Sequence, residues 1–247
     1  MEHKEYIKEV PNSKTVVLFI HGILGTPRYF NNFLESVPKN ISIHNILLDG
    51  HGCGVDEFSN TSMDKWKKCV DEKIKELYKK YENIIIVAHS MGTFFAMEAS
   101  LKYPQKVKAL FLLAVPLKII VKPDASINAM KVIFNKIDNN PVTESAKIAY
   151  GVKADKKIWK YAMWLPRYLE LFKESKSSRE LVDRITAKTY VFLSLKDELV
   201  SVKSYKYFTK NPNIKLTVLK NSRHYYYEDK EKKLLNIRLN ELCSEFE

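Results

Sequence analysis

The sequence predicts an α/β fold with a mostly parallel central sheet flanked by helices, and three observations support this. Strand and helix patterns alternate from residue 15 to residue 115, as in a series of right-handed βαβ units. The run Ile84–Val87 is β-branched throughout, as expected of a strand buried on both faces. The alternation stops after Pro116 and resumes only at Thr189, so an insertion interrupts the pattern.

Each element follows from its side-chain pattern. Apolar runs predict strands over 15–20, 41–48, 84–89 and 107–115, with two more beginning at Thr189 and Leu216. Helical spacing predicts helices over 28–37, 62–81 and 91–103. In the second helix an apolar stripe lies among lysines and acids, the pattern of an amphipathic helix; its members are Met63, Trp66, Val70, Ile74 and Leu77.

Ser90 stands at the junction between the strand over 84–89 and the next helix. A serine on so sharp a turn is held in strained geometry with its hydroxyl exposed, and it needs small neighbours because strand and helix pass closely. Gly92 meets that need, whereas Ala88 replaces the first glycine of the usual G-x-S-x-G pattern. An ordinary helix N-cap is the alternative interpretation of this serine.

A second loop, beginning His21-Gly22-Ile23, follows the strand over 15–20. Acyl transfer needs backbone N–H donors near the oxygen that becomes negative, and a glycine lets the main chain approach closely. The sequence therefore predicts an oxyanion hole formed by the N–H groups of Ile23 and Met91. His21 is expected to brace the loop rather than to transfer protons.

The base and its orienting acid should follow later strands, in the chain order serine, acid, histidine. Asp197 follows the strand that begins at Thr189, and His224 follows the strand over 216–219. Both lie at the carboxyl ends of strands, where an open α/β sheet collects its functional groups. The predicted catalytic triad is Ser90, Asp197 and His224, and the adjacent Glu198 is the second choice for the acid.

The other histidines are weaker candidates for the base. His89 directly precedes Ser90, so its side chain is expected to point away from the hydroxyl. His51 lies in a glycine-rich turn without a following apolar helix, which argues against a phosphate-binding loop. It is interpreted as a loop residue near the pocket.

The motif residues resemble a known family. The blocks HGILGTP at 21–27, DGHG at 49–52, AHSMG at 88–92, DELV at 197–200 and SRH at 222–224 look like those of α/β-hydrolases, specifically bacterial carboxylesterases and monoacylglycerol lipases. The resemblance implies an α/β-hydrolase fold, ester hydrolysis and an oxyanion hole at Ile23 and Met91. Two residues depart from the pattern: Ala88, and Asp49 in place of the proline that commonly precedes Gly-His-Gly.

The insertion, residues 117–183, shows helical pieces and no convincing sheet strand. It is predicted to be a helical cap, or lid, inserted after the sixth strand of the usual fold. Residues 1–116 and 184–247 then form the core domain. Most cap aromatics are expected to pack internally, but Trp159 and Trp164 are predicted to bind substrate, because ligand sites are mainly apolar.

Composition favours one globular domain in the cytoplasm. The chain has 247 residues, 45% of them hydrophobic, which suffices for a sizeable core. Its 3 cysteines show neither metal-ligand spacing nor an even count, which favours free thiols in a reduced compartment. The N-terminal residues do not read as a secretory signal. The longest apolar stretch, 109–117, is too short to span a membrane.

The formal net charge is +12, supplied mainly by lysines that alternate with acids along helices. Nucleic-acid binding would call for arginine-rich clusters with exposed aromatics, so no nucleic-acid partner is predicted. Weak attraction to anionic lipid surfaces is the expected effect of the charge. The pattern favours no particular oligomeric state.

Together these residues predict a serine hydrolase that cleaves a small-molecule carboxylic ester through an acyl-enzyme on Ser90. No metal or organic cofactor is implied. Thioesterase or amidase action by the same triad is an alternative, because only the leaving group differs. A non-catalytic ligand-binding protein is another, since a fold and a motif alone do not establish turnover.

Overall fold

The computed structural model describes residues 3–134 and 140–247, and its centre is a single mixed sheet. The strands of the described chain are β1 Tyr6–Lys8, β2 Thr15–Ile20, β3 Ser42–Ile46, β4 Asn83–His89, β5 Val107–Leu113, β6 Lys188–Ser194 and β7 Ile214–Leu219. Their order across the sheet is β1-β3-β2-β4-β5-β6-β7. All neighbouring strands are parallel except β1, which runs antiparallel to β3. The predicted α/β fold is therefore confirmed.

The sheet is covered on both faces, as its β-branched strand indicated. Along β2, Val17 and Phe19 pack into one hydrophobic cluster, whereas Leu18 and Ile20 pack into another. This follows from the pleat, because successive side chains point to opposite faces of a sheet. The segment 84–88 of β4 is fully excluded from solvent.

Helices supply the cover on each face. They are α1 Asn31–Leu34, α2 Val55–Ser59, α3 Met63–Lys80, α4 Gly92–Lys102, α5 Pro123–Ile133, α6 Pro141–Ala149, α7 Leu165–Ser177 and α8 Asp229–Ser244. Short 3-10 segments lie at Pro27–Phe30, Ile158–Trp164, Ser178–Arg184 and Val202–Tyr207. Helices α3 and α4 pack on one face of the sheet, and α1 and α8 on the other. Among the described helices, none has the length and apolar character that crossing a membrane requires.

The sequence of helix α3 explains where the helix begins and which of its faces is buried. The hydroxyl of Ser62 accepts the N–H of Lys65 at 3.2 Å and so caps the first turn. The predicted apolar stripe is buried along the whole helix, from Met63 to Leu77. The amphipathic interpretation of this segment is confirmed.

Strand β1 and the helix predicted over 28–37 differ from the sequence prediction. Strand β1 was not predicted, because it has only three residues and two of them, Tyr6 and Ile7, are exposed. The helix predicted over 28–37 is instead a 3-10 turn followed by the four-residue α1. Pro27 begins that turn, and the chain stops being helical after Leu34.

Between β5 and β6 the chain leaves the sheet, and the described part of residues 117–183 holds α5, α6 and α7. In this structure the insertion follows the fifth described strand, β5. The sequence prediction placed it after the sixth strand because that count referred to the strands of the usual α/β-hydrolase fold. Its first residues pair with the loop after β6, where Ile120 donates its N–H to Leu199 O at 2.8 Å and Lys122 to Glu198 O at 2.9 Å.

Candidate active site

Ser90 occupies a strained turn directly after β4. Its φ is +51°, a left-handed conformation that costs energy for a residue with a Cβ and is concentrated at functional sites. The Ser90 N–H donates to Leu113 O at 2.9 Å, which ties the turn to the end of the neighbouring strand β5. The neighbouring Ala114 is left-handed too, with φ +52°.

Two glycines allow the close packing around this turn. A Cβ on Gly22 would lie 2.8 Å from the Cβ of Ser90, and a Cβ on Gly92 would overlap the carbonyl of Ile20. Ala88, by contrast, is fully buried in the core without displacing the turn. The methyl group in place of the usual first glycine is therefore accommodated by packing.

His224 and Asp197 form a buried pair at the ends of β7 and β6. The Nδ1 atom of His224 lies 3.0 Å from Asp197 Oδ2 and 3.1 Å from Oδ1, and both residues are 1% exposed. The carboxylate is itself oriented, because Oδ1 accepts the N–H groups of Leu199 and Val200 at 2.8 Å each. Asp197 therefore presents a fixed acceptor to the imidazole.

The environment of His224 favours its charged form. Burial alone would lower the pKa of the imidazole, but the charge and hydrogen bond of Asp197, assisted by the charge of Glu198, raise it above the usual value. Glu198 contacts the main chain instead of the ring: its Oε2 accepts the N–H of His224 at 3.3 Å. Of the two acids, only Asp197 meets the imidazole.

His21 and His89 are also buried, and both are bonded to the main chain. His21 Nε2 accepts the N–H of Leu48 at 3.1 Å, so its Nδ1 carries the proton and donates to Gly22 O at 2.9 Å. This is the brace that the sequence predicted. His89 Nε2 donates to His224 O at 3.0 Å. Burial lowers the pKa of both rings well below the ordinary value.

His51 lies next to the ring of His21 and takes no part in the pair formed by His224 and Asp197. Its Nδ1 lies 3.1 Å from Asp49 O, and its ring packs against His21 with centroids 4.7 Å apart. Burial lowers the pKa of His51 to about 4, so the ring is neutral at physiological pH.

Residues 21–26, called the oxyanion loop below after the oxyanion hole that the sequence predicts there, approach Ser90 from the end of β2. Neither the N–H of Ile23 nor that of Met91 is engaged by an acceptor among the residues that the structure describes. Met91 is the residue that precedes α4. Two free main-chain donors thus come from the two loops that meet at Ser90.

A cavity of about 460 Å³ contains both Ser90 and His224 in its wall. The rest of its wall is mainly apolar and includes Ile23 and Leu24. Helices α5, α6 and α7 of the insertion supply about half of the remaining residues, namely Ala125, Ser126, Asn128, Ala129, Val132, Ala146, Tyr168, Leu171 and Phe172. Such a cavity suits a ligand with an apolar chain.

Neither predicted substrate-binding tryptophan reaches this cavity, so that expectation is corrected. Trp164 is 3% exposed, packs on Phe58 at 5.0 Å and donates its Nε1–H to Val55 O at 3.2 Å. It fastens the insertion to α2, where its indole N–H finds the partner that a buried tryptophan needs. Trp159 faces solvent and is 69% exposed.

The sequence reasoning missed the residues that do line the wall. On α7 these are Tyr168, Leu171 and Phe172, whose i, i+3, i+4 spacing marks one helix face and could have pointed to them. Tyr150 and Tyr225 lie at loop positions, where no periodic signal exists. In the described ranges, no group of three or more histidine, cysteine or acidic side chains is placed to hold a metal ion.

Comparison with known proteins places the fold in a family. The model of the α/β hydrolase fold matches residues 15–140, just over half of the chain. The chain therefore belongs to the α/β hydrolase fold family, as its motif blocks suggested.

Curated relatives match only a segment. An Arabidopsis thaliana protein named "Probable lysophospholipase BODYGUARD 2" is 29% identical over 116 residues, which is 44% of this chain and 24% of that protein. A protein of the same plant named "Probable lysophospholipase BODYGUARD 4" is 27% identical over 115 residues, 46% of this chain and 27% of its own length. The matched segment thus spans about a quarter of each of these relatives.

Solved structures match the whole fold. A structure from work on the metagenome-derived lipolytic enzymes LipS and LipT has a TM-score of 0.72 at 17% identity and covers 98% of both chains. The monoacylglycerol lipase of Paleococcus ferrophilus has a TM-score of 0.68 at 14% identity and covers 99% of both chains. Est1E of Butyrivibrio proteoclasticus, solved with ferulic acid, has a TM-score of 0.65 at 17% identity, with 98% of this chain and 94% of that chain covered. These likenesses concern the fold.

Proposed function

We propose that this protein is a serine hydrolase that cleaves carboxylic esters with an apolar acyl chain. The observation that carries the proposal is one constellation: a serine in a strained turn and a histidine bonded to a buried aspartate share the wall of one apolar cavity. The lipolytic enzymes among its structural neighbours are consistent with this chemistry.

In the first half of the reaction, Ser90 Oγ bonds to the ester carbonyl carbon while its proton passes to His224 Nε2. Asp197 holds Nδ1–H, which leaves Nε2 as the accepting nitrogen, and it stabilises the imidazolium that forms. The N–H groups of Ile23 and Met91 stabilise the oxyanion. The tetrahedral intermediate then expels the alcohol, which takes its proton from His224, and an acyl-enzyme remains.

In the second half, water attacks the acyl carbon and gives a proton to His224, and a second tetrahedral intermediate forms in the same oxyanion hole. Its collapse breaks the bond to Ser90 Oγ, which regains a proton from His224, and releases the carboxylic acid. The protein's own groups thus supply every proton transfer.

The insertion, residues 117–183, serves in this proposal as a cap on the core domain formed by residues 1–116 and 184–247. Three of its helices contribute apolar side chains to the cavity wall, which also includes Ile23 and Leu24 of the oxyanion loop. A long acyl chain would be held there, because each methylene withdrawn from water adds up to about 0.8 kcal/mol of binding.

Acyl-length profiles test the proposal. Wild-type kcat/KM on p-nitrophenyl esters should rise from acetyl to octanoyl. Ala146→Phe should shift the optimum to shorter acyl chains, because the phenyl ring would occupy cavity space at a half-buried position of the wall. Ile148→Phe is the matched control on the same helix, since Ile148 is 44% exposed and lies outside the cavity. The same acyl series on thioesters and amides identifies the leaving group. A flat ester profile that neither variant changes would contradict an acyl site in this cavity.

The pH dependence of turnover follows from the raised pKa of His224. The base must be neutral to accept the Ser90 proton, so kcat/KM should rise with pH through a midpoint above the ordinary imidazole value of about 6.5. Removing the Asp197 charge should move this midpoint to lower pH, because that charge is the main group that raises it. A pH–rate profile of wild type and Asp197→Asn measures both points. An unshifted midpoint would mean that the titrating group is not His224.

A further inference from the structure

The insertion touches the oxyanion loop through main-chain hydrogen bonds. The Gly151 N–H donates to Leu24 O at 2.7 Å, and the Gly151 carbonyl accepts the N–H of Gly52 at 2.6 Å. Two residues later, Lys153 donates its N–H to Cys53 O at 2.7 Å. A short strip of the insertion is thus fixed between the oxyanion loop and the loop over residues 49–54.

The contact leaves no room for a side chain at residue 151. A Cβ there would overlap the carbonyl of Gly25 and lie 3.1 Å from the Cβ of Thr26. Main-chain atoms cannot swing aside as a side-chain end can, so only glycine allows this approach. On either side, Ala149 and Val152 are buried in the two hydrophobic clusters and hold the strip in place.

The oxyanion loop has a strained residue at this contact. Leu24 has φ +55°, and a non-glycine residue keeps a left-handed conformation only where its surroundings enforce it. Its carbonyl is the group that Gly151 holds. The preceding residue is Ile23, so the conformation of Leu24 bears directly on how the Ile23 N–H is presented to Ser90.

We propose that Gly151 is a positioning residue for the oxyanion hole: by holding the carbonyl of Leu24, the insertion fixes the direction of the Ile23 N–H. This inference rests on the proposed function. It gives the insertion a part in stabilising the transition state, in addition to its part in the cavity wall.

The test compares two ligands whose alkyl tails differ by one carbon: the octyl group of octylboronic acid and the heptyl group of octanoate. The boron of octylboronic acid bonds to Ser90 Oγ while the Ser90 hydroxyl proton passes to His224. The product is a tetrahedral boronate anion in the oxyanion hole. Octanoate, the product of ester hydrolysis, forms no such bond. In Gly151→Ala, affinity for octylboronic acid should fall roughly 100-fold, the effect of losing one oxyanion donor, and kcat should fall by a similar factor. Octanoate affinity and KM should change less than about threefold, because they report ground-state binding.

Gly54→Ala is the matched control. A Cβ at that position meets only the flexible end of the Glu57 side chain, so both ligands and kcat should behave as in wild type. Val152→Ala is a second variant that loosens the strip without adding atoms; it should weaken boronic acid binding more than octanoate binding. Thermal unfolding of each variant establishes that it is folded.

Three results would overturn the inference. One is a folded Gly151→Ala that binds octylboronic acid as tightly as wild type; another is an equal loss of affinity for both ligands. The third concerns Val152→Ala and applies if Gly151→Ala does not fold. In that case, a Val152→Ala variant whose ratio of octylboronic acid affinity to octanoate affinity equals that of the wild type would overturn the inference. A wild-type protein that forms no boronate adduct at Ser90 would instead contradict the proposed function.

Discussion

Ser90→Ala is expected to abolish ester hydrolysis, with a loss in kcat of about six orders of magnitude, as when a triad serine is removed elsewhere. In the proposed mechanism Ser90 Oγ is the atom that bonds to the acyl carbon, so no other group can replace it. The variant should fold, because the turn is held by the main-chain bond to Leu113, which alanine retains. Turnover of an octanoyl ester measures the loss.

A fluorophosphonate probe gives an independent readout of the same residue. Intact-mass analysis should show one label on the wild type and none on Ser90→Ala, because His224 activates this hydroxyl alone. Ser100→Ala is the control: Ser100 is a buried serine of α4 whose hydroxyl donates to Met97 O, away from the cavity. It should keep both label and turnover. Equal labelling of the Ser90 variant would show that the nucleophile lies elsewhere.

Asp197→Asn should reduce kcat by up to about 10⁴, because an amide can present its NH₂ group to Nδ1 and select the wrong tautomer of His224. The loss arises in catalysis rather than folding, since asparagine can still accept the N–H groups of Leu199 and Val200 through its carbonyl oxygen. Single-turnover kinetics with an activated ester measure the acylation step directly.

Asp64→Asn offers a matched control for the same chemical change. Asp64 is exposed in the first turn of α3, and its replacement should leave kcat unaltered. The competing assignment makes the opposite prediction: near-normal turnover in Asp197→Asn together with a large loss in Glu198→Gln would move the orienting role to Glu198.

The sheet could be predicted because its inner strands, β2 to β6, are buried on both faces and therefore carry mostly apolar runs. Ile84–Val87 is such a run, and burial is complete there. Polar residues that directly follow such runs must lie at one edge of a parallel sheet, which is why Asp197 and His224 could be expected to meet. Strand β1 lacked any such signal, since it pairs by main-chain bonds at an exposed edge.

The cavity wall could not be predicted to the same degree. Helical spacing identifies which residues share a face, but not which neighbour that face will meet. Trp164 was a reasonable candidate by hydrophobicity, yet it lies against α2, whereas the smaller Ala146 borders the cavity. The contact between Gly151 and the oxyanion loop could not be predicted from the sequence at all, because main-chain hydrogen bonds between distant segments depend on no side-chain pattern.

The neutral histidines behind the site limit how acidic a solution the whole protein can tolerate. Unfolding would release His21, His51 and His89 into water, where each takes up a proton below about pH 6.5, whereas burial in the folded chain keeps each one neutral to lower pH. The unfolded chain therefore binds more protons, and stability declines as pH falls from that value. His224 has the opposite sign, since its raised pKa makes the folded chain bind its proton first. The pKa values of His3 and His44 are lowered as well, so five histidines destabilise the folded chain in acid and one stabilises it. Taken together, the histidines therefore favour unfolding in acid.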